Sequence, residues 1–419
     1  MTTVTTWQPL LGPALQARAR HILDCITAAL RAAPEDNDPS LGSGYLGAAI
    51  YFGYLDRFET GEGHAAHGEA LRDRAIEELA DASMLPGLYP GATGIAWAVE
   101  HLEDECARSD ADANSEVDAV LLDLVEGGAP IDFDLLRGLT GIGVYALERA
   151  RRASGRRLLG AVVARLRERA EPRGPGIAWR TPPETMWSEE RARYPQGYYN
   201  LGVAHGTPAV ALVLAAACAL DIGDARDLLD GAMRWMLSRR SEAQSPFVFP
   251  AIEVCDGTVL PSRAAWCYGD PGVAVTLLAT ARAAGNAEWE AAALTAAARA
   301  AARPLDRCGV RDAGVCHGAA GLALVFHRLW HATGDACFAD AARRWYALTL
   351  ELHRPGEGSG GYAAWKPRDD DPGATGWVSN RSLLSGAAGI GLVLLAGLGV
   401  EPWWDRALAA SLPPWVTSP

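Results

Sequence analysis

The chain has 419 residues, of which 49% are hydrophobic and 21% are charged, and its formal net charge is −13. A chain of this length can bury a large core, but its acidic charge argues against a nucleic-acid partner, which normally requires a basic surface. The N-terminal segment lacks the pattern of a secretory signal, and no apolar run reaches the roughly 18 residues of a membrane span. We therefore expect a soluble, cytoplasmic protein that acts on a peptide or a small molecule.

Seven segments share two small residues three positions apart, followed by an apolar helical run. In chain order, their first glycines are Gly44, Gly91, Gly138, Gly206, Gly269, Gly318 and Gly386. These glycines lie 47, 47, 68, 63, 49 and 68 residues apart, which allows one pair of helices per repeat with loop insertions in the longer repeats. The array predicts one domain over residues 1–419.

A second type of helix is predicted between these segments. Examples are AHGEALRDRAIEELADAS, GRRLLGAVVARLRERAE, ARDLLDGAMRWMLSRR and ACFADAARRWYALTLELH. Their apolar residues recur at three- and four-residue spacings with charges between them, which is typical of helices with one wet face. The glycine-containing helices are apolar nearly all round. An all-α α/α toroid of about seven inner and seven outer helices is therefore the predicted fold, with an open right-handed α-solenoid as the alternative.

Long connections rich in aromatic residues, proline and glycine precede three of the inner helices. They cover residues 172–202, 241–266 and 354–382. Since each immediately precedes an inner helix, we expect them to be loops at the rim of the toroid, where function usually resides.

Two of the seven helix starts carry residues that bind metals. Cys267 lies two residues before Gly269, and Cys316 and His317 directly precede Gly318. Two thiolates and one imidazole suit zinc, and three protein ligands leave a fourth position for water or substrate. Isolated cysteines are more often small core residues, and a Cys-His pair occurs by chance. The shared position in the repeat favours zinc, because a ring of helices would bring the two starts together.

The other six cysteines lack this position in the repeat. Cys25, Cys106, Cys218 and Cys337 fall in predicted helices, and Cys255 and Cys308 fall in loops. No disulfide is expected among them in a reducing compartment.

Three further polar residues lie close to helix starts. His205 directly precedes Gly206, and the near-neutral reference pKa of the histidine side chain suits proton transfer, although a capping or core histidine is the alternative. Asp134 lies four residues before Gly138, and Arg263 lies in the loop before the fifth repeat. Taken alone, each of these two residues fits a helix cap or a surface ion pair.

The segments GVAHG, SRAAWCYGD and VCHGAAG occur in this order on the seven-repeat array. On these segments the sequence resembles the LanC family of lanthipeptide cyclases over nearly its whole length, and its size resembles the stand-alone class I type. The resemblance implies one zinc ion per chain, bound by Cys267, Cys316 and His317. It also implies catalytic roles for Asp134, His205 and Arg263.

In the chemistry that this resemblance implies, a cysteine of a precursor peptide takes the open zinc position and adds as a thiolate to dehydroalanine or dehydrobutyrine. Arg263 would stabilise the enolate charge, while His205 and Asp134 move protons, and which of the two is the base stays open. The implied partners are a dehydrated precursor peptide with its leader segment, a lanthipeptide dehydratase and an export transporter. A LanC-like enzyme that adds glutathione and a non-catalytic scaffold that binds the precursor are the two alternatives.

Overall fold

The computed structural model describes residues 6–33, 37–61, 63–81, 84–103, 112–186, 188–242, 244–367 and 374–417. Its helices are α1 (Pro13–Arg31), α2 (Leu46–Phe58), α3 (His64–Asp81), α4 (Ala92–Leu102), α5 (Ser115–Glu126), α6 (Leu139–Glu148), α7 (Ala153–Arg169), α8 (Ser188–Arg193), α9 (Thr207–Ala219), α10 (Arg226–Ser238), α11 (Asp270–Ala284), α12 (Ala287–Ala302), α13 (Ala319–Thr333), α14 (Ala336–Glu351), α15 (Ala387–Gly397) and α16 (Pro414–Thr417). Its strands are β1 (Glu171–Arg173), β2 (Gly176–Ala178), β3 (Arg180–Thr181), β4 (Tyr198–Asn200), β5 (Ile252–Val254), β6 (Val259–Leu260), β7 (Ala363–Pro367) and β8 (Thr375–Ser379). Short 3₁₀ turns cover Pro183–Thr185, Leu305–Arg307 and Trp403–Arg406.

Each of the seven predicted glycine segments begins a helix. The glycine-start helices α2, α4, α6, α9, α11, α13 and α15 begin one or two residues after the first motif glycine. Every residue of α6 and of α15 is buried, and so are the first eleven residues of α9, from 207 to 217. Helices buried on all sides explain why these segments are apolar nearly all round.

The helices between them bury one face only, as their spacing predicts. In α10, for example, Leu228, Leu229, Met233 and Met236 are buried, whereas Arg226 at its start is exposed. The predicted helices α3, α7, α10 and α14 are confirmed. We call these four, together with α1, α5 and α12, the intervening helices.

The chain divides into two compact units, the first of which comprises residues 1–84, 89–102 and 301–404. In this unit, α2 packs against α4 and α15, and α15 packs against α13. The intervening helices cover these four: α3 contacts α2 and α4, α1 contacts α15, and α14 contacts α13 and α1. Helices α1 and α15 are far apart in sequence, so the unit forms by long-range packing.

The second unit comprises residues 85–88, 103–300 and 405–419. Here α9 packs against both α6 and α11, α7 contacts α5, α6 and α9, and α10 contacts α9. Helix α16 returns from the C-terminal region to contact α9 and α11. That residues 1–419 form one domain stays a prediction.

The three long connections are more regular than predicted. Residues 172–202 and 241–266 contribute β3 and β4, and β5 and β6, to an antiparallel sheet in the order β3-β4-β5-β6. Its register pairs Tyr198 with Val254 and Tyr199 with Glu253. Aromatic and β-branched residues favour strands, but the pairing joins segments about fifty residues apart, which local patterns do not reveal. In the third connection, β7 and β8 form a hairpin, and its residues 368–373 lie outside the described part of the chain.

The helices of the described residues fall short of membrane-spanning character. None of these helices combines the length and the low polarity that crossing a bilayer requires. The cytoplasmic location stays a prediction.

Candidate active site

The predicted site residues lie in loops that share one backbone arrangement. The first N–H groups of a helix lack intrahelical partners. Here they donate hydrogen bonds to backbone carbonyls of the preceding loop. Leu139 N donates to Asp132 O at 2.7 Å, and Ala387 N donates in the same way to Asn380 O at 3.0 Å. A Cβ on Gly138 would lie 2.3 Å from Asp132 O, so the loop passes too close for any larger residue. The residues just before each glycine are thereby held in a fixed loop.

The same loops begin with a side-chain turn that is also repeated. In several repeats an Asp or Asn lies six residues before the first glycine. Its side-chain oxygen accepts a hydrogen bond from the backbone N–H two residues further along the chain, at 2.8–3.0 Å. The residues that do so are Asp38, Asn200, Asp312 and Asn380. This turn is a standard use of short polar side chains. In the fifth repeat, Arg263 occupies the corresponding position. An arginine cannot accept a hydrogen bond, so the loop's geometry does not explain the presence of Arg263.

His205 and Asp134 form a direct pair within the second unit. His205 Nδ1 lies 2.5 Å from Asp134 Oδ2, with the side chain of His205 30% exposed and that of Asp134 6% exposed. The other carboxylate oxygen, Oδ1, accepts the backbone N–H of Arg137 at 2.7 Å. Asp134 is therefore fixed from two sides, and the imidazole that it orients is accessible to a substrate.

Cys267 lies beside this pair in the neighbouring loop. Ala204 N, adjacent to His205, donates to the carbonyl of Cys267 at 3.3 Å. The Cys267 side chain is buried, and the Arg263 guanidinium donates to its Sγ at 3.5 Å. Arg263 is therefore in direct contact with the Cys267 sulfur.

Cys316 and His317 are half-buried at the start of α13. Their loop is tied to the loop before α15, because Cys316 N donates to Leu384 O at 2.8 Å. One sulfur each from Cys267 and Cys316 and one ring nitrogen of His317 all lie within 4.8 Å of one another. Of the predicted site residues, the structure brings together these three, the His205–Asp134 pair, and Arg263 with Cys267.

The donor set of this Cys-Cys-His group fits zinc. Thiolate sulfur and imidazole nitrogen are ligands that tetrahedral zinc prefers, whereas calcium and magnesium require oxygen. Three protein donors leave one tetrahedral position for another ligand. Among the described residues, the other predicted thiols do not join the group: Cys25, Cys218 and Cys337 lie in α1, α9 and α14, and Cys255 and Cys308 follow a strand and a 3₁₀ turn. Cys106 lies outside the described residues.

A cavity of about 190 Å³ opens beside His205 in the second unit. Its lining residues are Asp132, Asp134, Arg137, Thr181, Thr185, Met186, Glu190, Tyr198, His205 and Tyr268. Burial raises the pKa of the Asp132 carboxyl above its usual value, and the neighbouring charge of Asp134 adds to the rise. Burial likewise raises the pKa of Tyr268, whose hydroxyl accepts a hydrogen bond from Asn200 Nδ2 at 2.8 Å. A polar cavity that exposes an imidazole is a candidate reaction chamber.

Comparison with known proteins bears directly on the identity of the chain. The sequence matches the lanthionine synthetase C-like protein family over residues 35–404. The chain belongs to this family.

Two relatives illustrate the relationship. The nisin biosynthesis protein NisC of Lactococcus lactis subsp. lactis is 26% identical over 268 residues, an alignment that covers 59% of this chain. It spans 63% of the length of that curated relative. The solved structure of a nisin cyclase superposes with a TM-score of 0.73 at 20% identity and covers 95% of this chain and 98% of that chain. This LanC-like protein therefore has the α/α toroid fold, as predicted, and not an open solenoid.

Sequence reasoning missed part of the cavity wall of this LanC-like protein. Asp132, Glu190 and Tyr198 line the cavity although none of them was predicted to be functional. The position of Asp132, six residues before Gly138, gave only a structural signal, because Asp or Asn at that position forms a turn in other repeats. Glu190 and Tyr198 had none, since α8 and β4 reach the cavity only through the folding of the connection that contains them.

Proposed function

We propose that this LanC-like protein is a zinc-dependent lanthipeptide cyclase. In this reaction, the thiolate of a precursor-peptide cysteine adds to the β-carbon of dehydroalanine or dehydrobutyrine, and a proton is delivered to the α-carbon. One C–S bond forms, and no group leaves. The observation that carries the proposal is the Cys267, Cys316 and His317 group in a member of this family, with Cys267 hydrogen-bonded through its carbonyl to the loop that holds His205.

We assign the metal to Cys267, Cys316 and His317 because they supply the donors that zinc prefers. A zinc ion held there would lower the pKa of a thiol in the fourth position, so that the thiolate persists at neutral pH. Thiolate is the nucleophilic form of cysteine.

The neighbouring side chains suit the remaining steps. Addition places negative charge on the carbonyl oxygen of the acceptor residue, and the guanidinium of Arg263 can stabilise that enolate. The imidazole of His205 lines the cavity and is placed to transfer a proton to the acceptor residue. Asp134 orients His205 through their 2.5 Å contact.

The proposed substrate is a dehydrated precursor peptide with a leader segment. A lanthipeptide dehydratase would supply it and an export transporter would remove the product, which places the reaction in the cytoplasm. The relationship to a nisin biosynthesis protein supports a role in peptide biosynthesis, and we propose both partners on that basis.

The deciding experiment incubates the zinc-loaded enzyme with its dehydrated precursor and counts the thiols that can still be alkylated. Addition within one peptide conserves mass, so the count should fall by one per ring while the mass of the unalkylated product stays constant. A product heavier by one glutathione per addition would instead favour the glutathione-adding alternative. Tight binding of the precursor with an unchanged thiol count would favour the scaffold.

Zinc binding is tested separately by elemental analysis. We expect about one zinc per chain in the native protein and strong loss of zinc in the Cys316→Ala, His317→Ala double variant, because one remaining thiolate cannot hold the ion. Cys337→Ala is the matched control, since it removes an exposed thiol in α14. Full zinc retention in the double variant would contradict the assignment of the ligands.

A further inference from the structure

The charges that line the cavity beside His205 are unbalanced. Its lining includes the carboxyl groups of Asp132, Asp134 and Glu190, and Arg137 is the one arginine or lysine among the lining residues that the structure describes. Arg137 is exposed, and it donates its backbone N–H, not its guanidinium, to Asp134 in the described contacts. A peptide segment that enters this cavity therefore meets an excess of negative charge.

The three carboxyl groups are not equivalent. Asp134 is buried, and its Oδ2 lies 2.5 Å from Nδ1 of His205. Asp132 is half-buried and accepts the N–H of Phe133 at 2.6 Å, so its charge is partly compensated by its own loop. Glu190 differs from both, because it lies on α8, outside the loops that start the helices.

Glu190 is held at the cavity wall by a defined contact. Tyr198 on β4 donates its hydroxyl to Glu190 Oε1 at 2.8 Å. The helix that carries Glu190 is braced by Arg191, whose guanidinium donates to the carbonyls of Pro183 at 2.9 Å and Met186 at 3.2 Å. The carboxylate is therefore fixed in position, and a fixed charge discriminates between ligands better than a mobile one.

We propose that Glu190 is a specificity-determining residue, which makes the cavity favour neutral or cationic residues next to the reacting positions of the precursor and disfavour Asp and Glu there. The inference rests on the proposed function for its substrate. Its physical basis is independent of the metal: a carboxylate brought into a partly enclosed, acidic cavity loses hydration and meets like charge. A dehydrated residue has lost its hydroxyl and is neutral, so the reacting residue itself is not penalised.

The test uses three precursor peptides that differ only in the residue beside the ring-forming dehydrated residue, which is Glu, Gln or Lys. Binding is measured by fluorescence anisotropy with analogues in which serine replaces the reacting cysteine, so that no ring can close. Ring closure is measured with the reactive peptides by the loss of alkylatable thiols. For the native enzyme we expect the Glu peptide to bind about ten-fold more weakly than the Gln peptide, and less so at high salt.

Three variants separate Glu190 from its surroundings. Glu190→Gln keeps an oxygen for Tyr198 but removes the charge, and should reduce the ratio of the two dissociation constants to near one. Glu190→Lys should reverse the order of affinity, so that the Glu peptide binds more tightly than the Lys peptide. Glu189→Gln is the matched control, because it removes the same charge from an exposed position on α8 that does not line the cavity. It should leave the ratio at its native value.

The outcomes distinguish the inference from the proposed function. Equal binding of the Glu and Gln peptides to the native enzyme would overturn the role of Glu190, whether or not rings close. An unchanged ratio of the two dissociation constants in folded Glu190→Gln would also overturn it. The same would follow if Glu189→Gln reduced this ratio as much as Glu190→Gln does. Conversely, selective binding without ring closure of any peptide by the zinc-loaded enzyme would reject the cyclase and retain the charge selection.

Discussion

At equivalent positions of the repeats, some residues serve the structure of the loop and others are candidates for a role in catalysis. Where the loop needs a side-chain acceptor, Asp or Asn is present six residues before the glycine, as in Asp312 and Asn380. Arg263 breaks this pattern and instead contacts the Cys267 sulfur. His205 likewise contacts Asp134 and faces the cavity. Leu85 also departs from the pattern in the second repeat, so a departure indicates chemistry only where the side chain contacts another candidate group, as Arg263 does.

The His205–Asp134 pair should act as one unit. We expect Asp134→Asn and His205→Ala each to lower the ring-closing rate by about 10²–10⁴-fold, the usual contribution of general acid–base catalysis. The double variant should fall little below the poorer single variant, because each change already removes the function of the pair. Rates are measured by loss of alkylatable thiols.

Zinc content and thermal unfolding of the same variants are the controls, together with Asp123→Asn, which removes an exposed carboxylate on α5. A native rate in folded His205→Ala would return that residue to a structural role.

The loop before each glycine-start helix is a repeated element with a repeated constraint. Backbone carbonyls of the loop cap the helix, as Asp132 O does by accepting a hydrogen bond from Leu139 N at 2.7 Å. Glycine is needed at the helix start because the loop backbone lies too close to leave room for a Cβ atom. On Gly138, an added Cβ would lie 2.3 Å from Asp132 O and 2.6 Å from Asp134 N. Backbone atoms cannot move aside as a flexible side chain can, so the loop carrying Asp134 must shift.

We therefore expect Gly138→Ala to lower the free energy of unfolding by about 1–3 kcal/mol, in the range typical of overpacking. Ring closure should be slower as well, because Asp134 moves with the loop. Gly12→Ala is the control, since a Cβ there meets no atom within 4 Å and the residue has an ordinary φ of −70°. Urea unfolding measures the first effect. Equal stability of the two variants would show that the loop tolerates a methyl group.

Packing between distant parts of the chain stabilises each unit. In the first unit, Trp7 Nε1 donates to Ala396 O at 2.9 Å and its ring lies 4.0 Å from that of His327. In the second unit, Trp266 Nε1 donates to Leu408 O at 2.7 Å. The C-terminal region thus supports the residue next to Cys267, and the loop geometry depends on segments that are remote in sequence.

His327 should make stability sensitive to acid. It is fully buried, one ring nitrogen lies 2.9 Å from Gln8 O and the other 3.0 Å from Tyr346 Oη, and burial lowers its pKa to about 3. Well above pH 6.5 the imidazole is neutral in both the folded and the unfolded chain, so its titration does not change the stability there. As the pH falls from 6.5 towards 3, only the unfolded chain takes up this proton, so stability decreases, by at most about 1.4 kcal/mol per pH unit.

Urea unfolding between pH 7.5 and 4.5 measures this slope. His327→Gln should have a lower stability at pH 7.5 but a shallower decline. His331→Gln, on the same helix, is the control and should keep most of the native slope. An unchanged slope in His327→Gln would assign the acid sensitivity to other groups.

The sequence by itself determined the features that depend on a few neighbouring residues. The glycine spacing predicted all seven helix starts, and the apolar and charged patterns predicted which helices are buried on all sides. The same repeat positions predicted that Cys267, Cys316 and His317 lie close together, because equivalent positions of a repeat adopt equivalent geometry, and their role as zinc ligands stays a prediction.

Only the tertiary structure decided which distant segments meet. The long connections were predicted as loops, but β4 pairs with β5 across some fifty residues and brings Tyr198 and Glu190 to the cavity. Nor does any local pattern connect Gln8 with His327. The physical reason is that helix formation depends on contacts within a few residues, whereas strand pairing and cavity walls depend on contacts whose partners can lie anywhere in the chain.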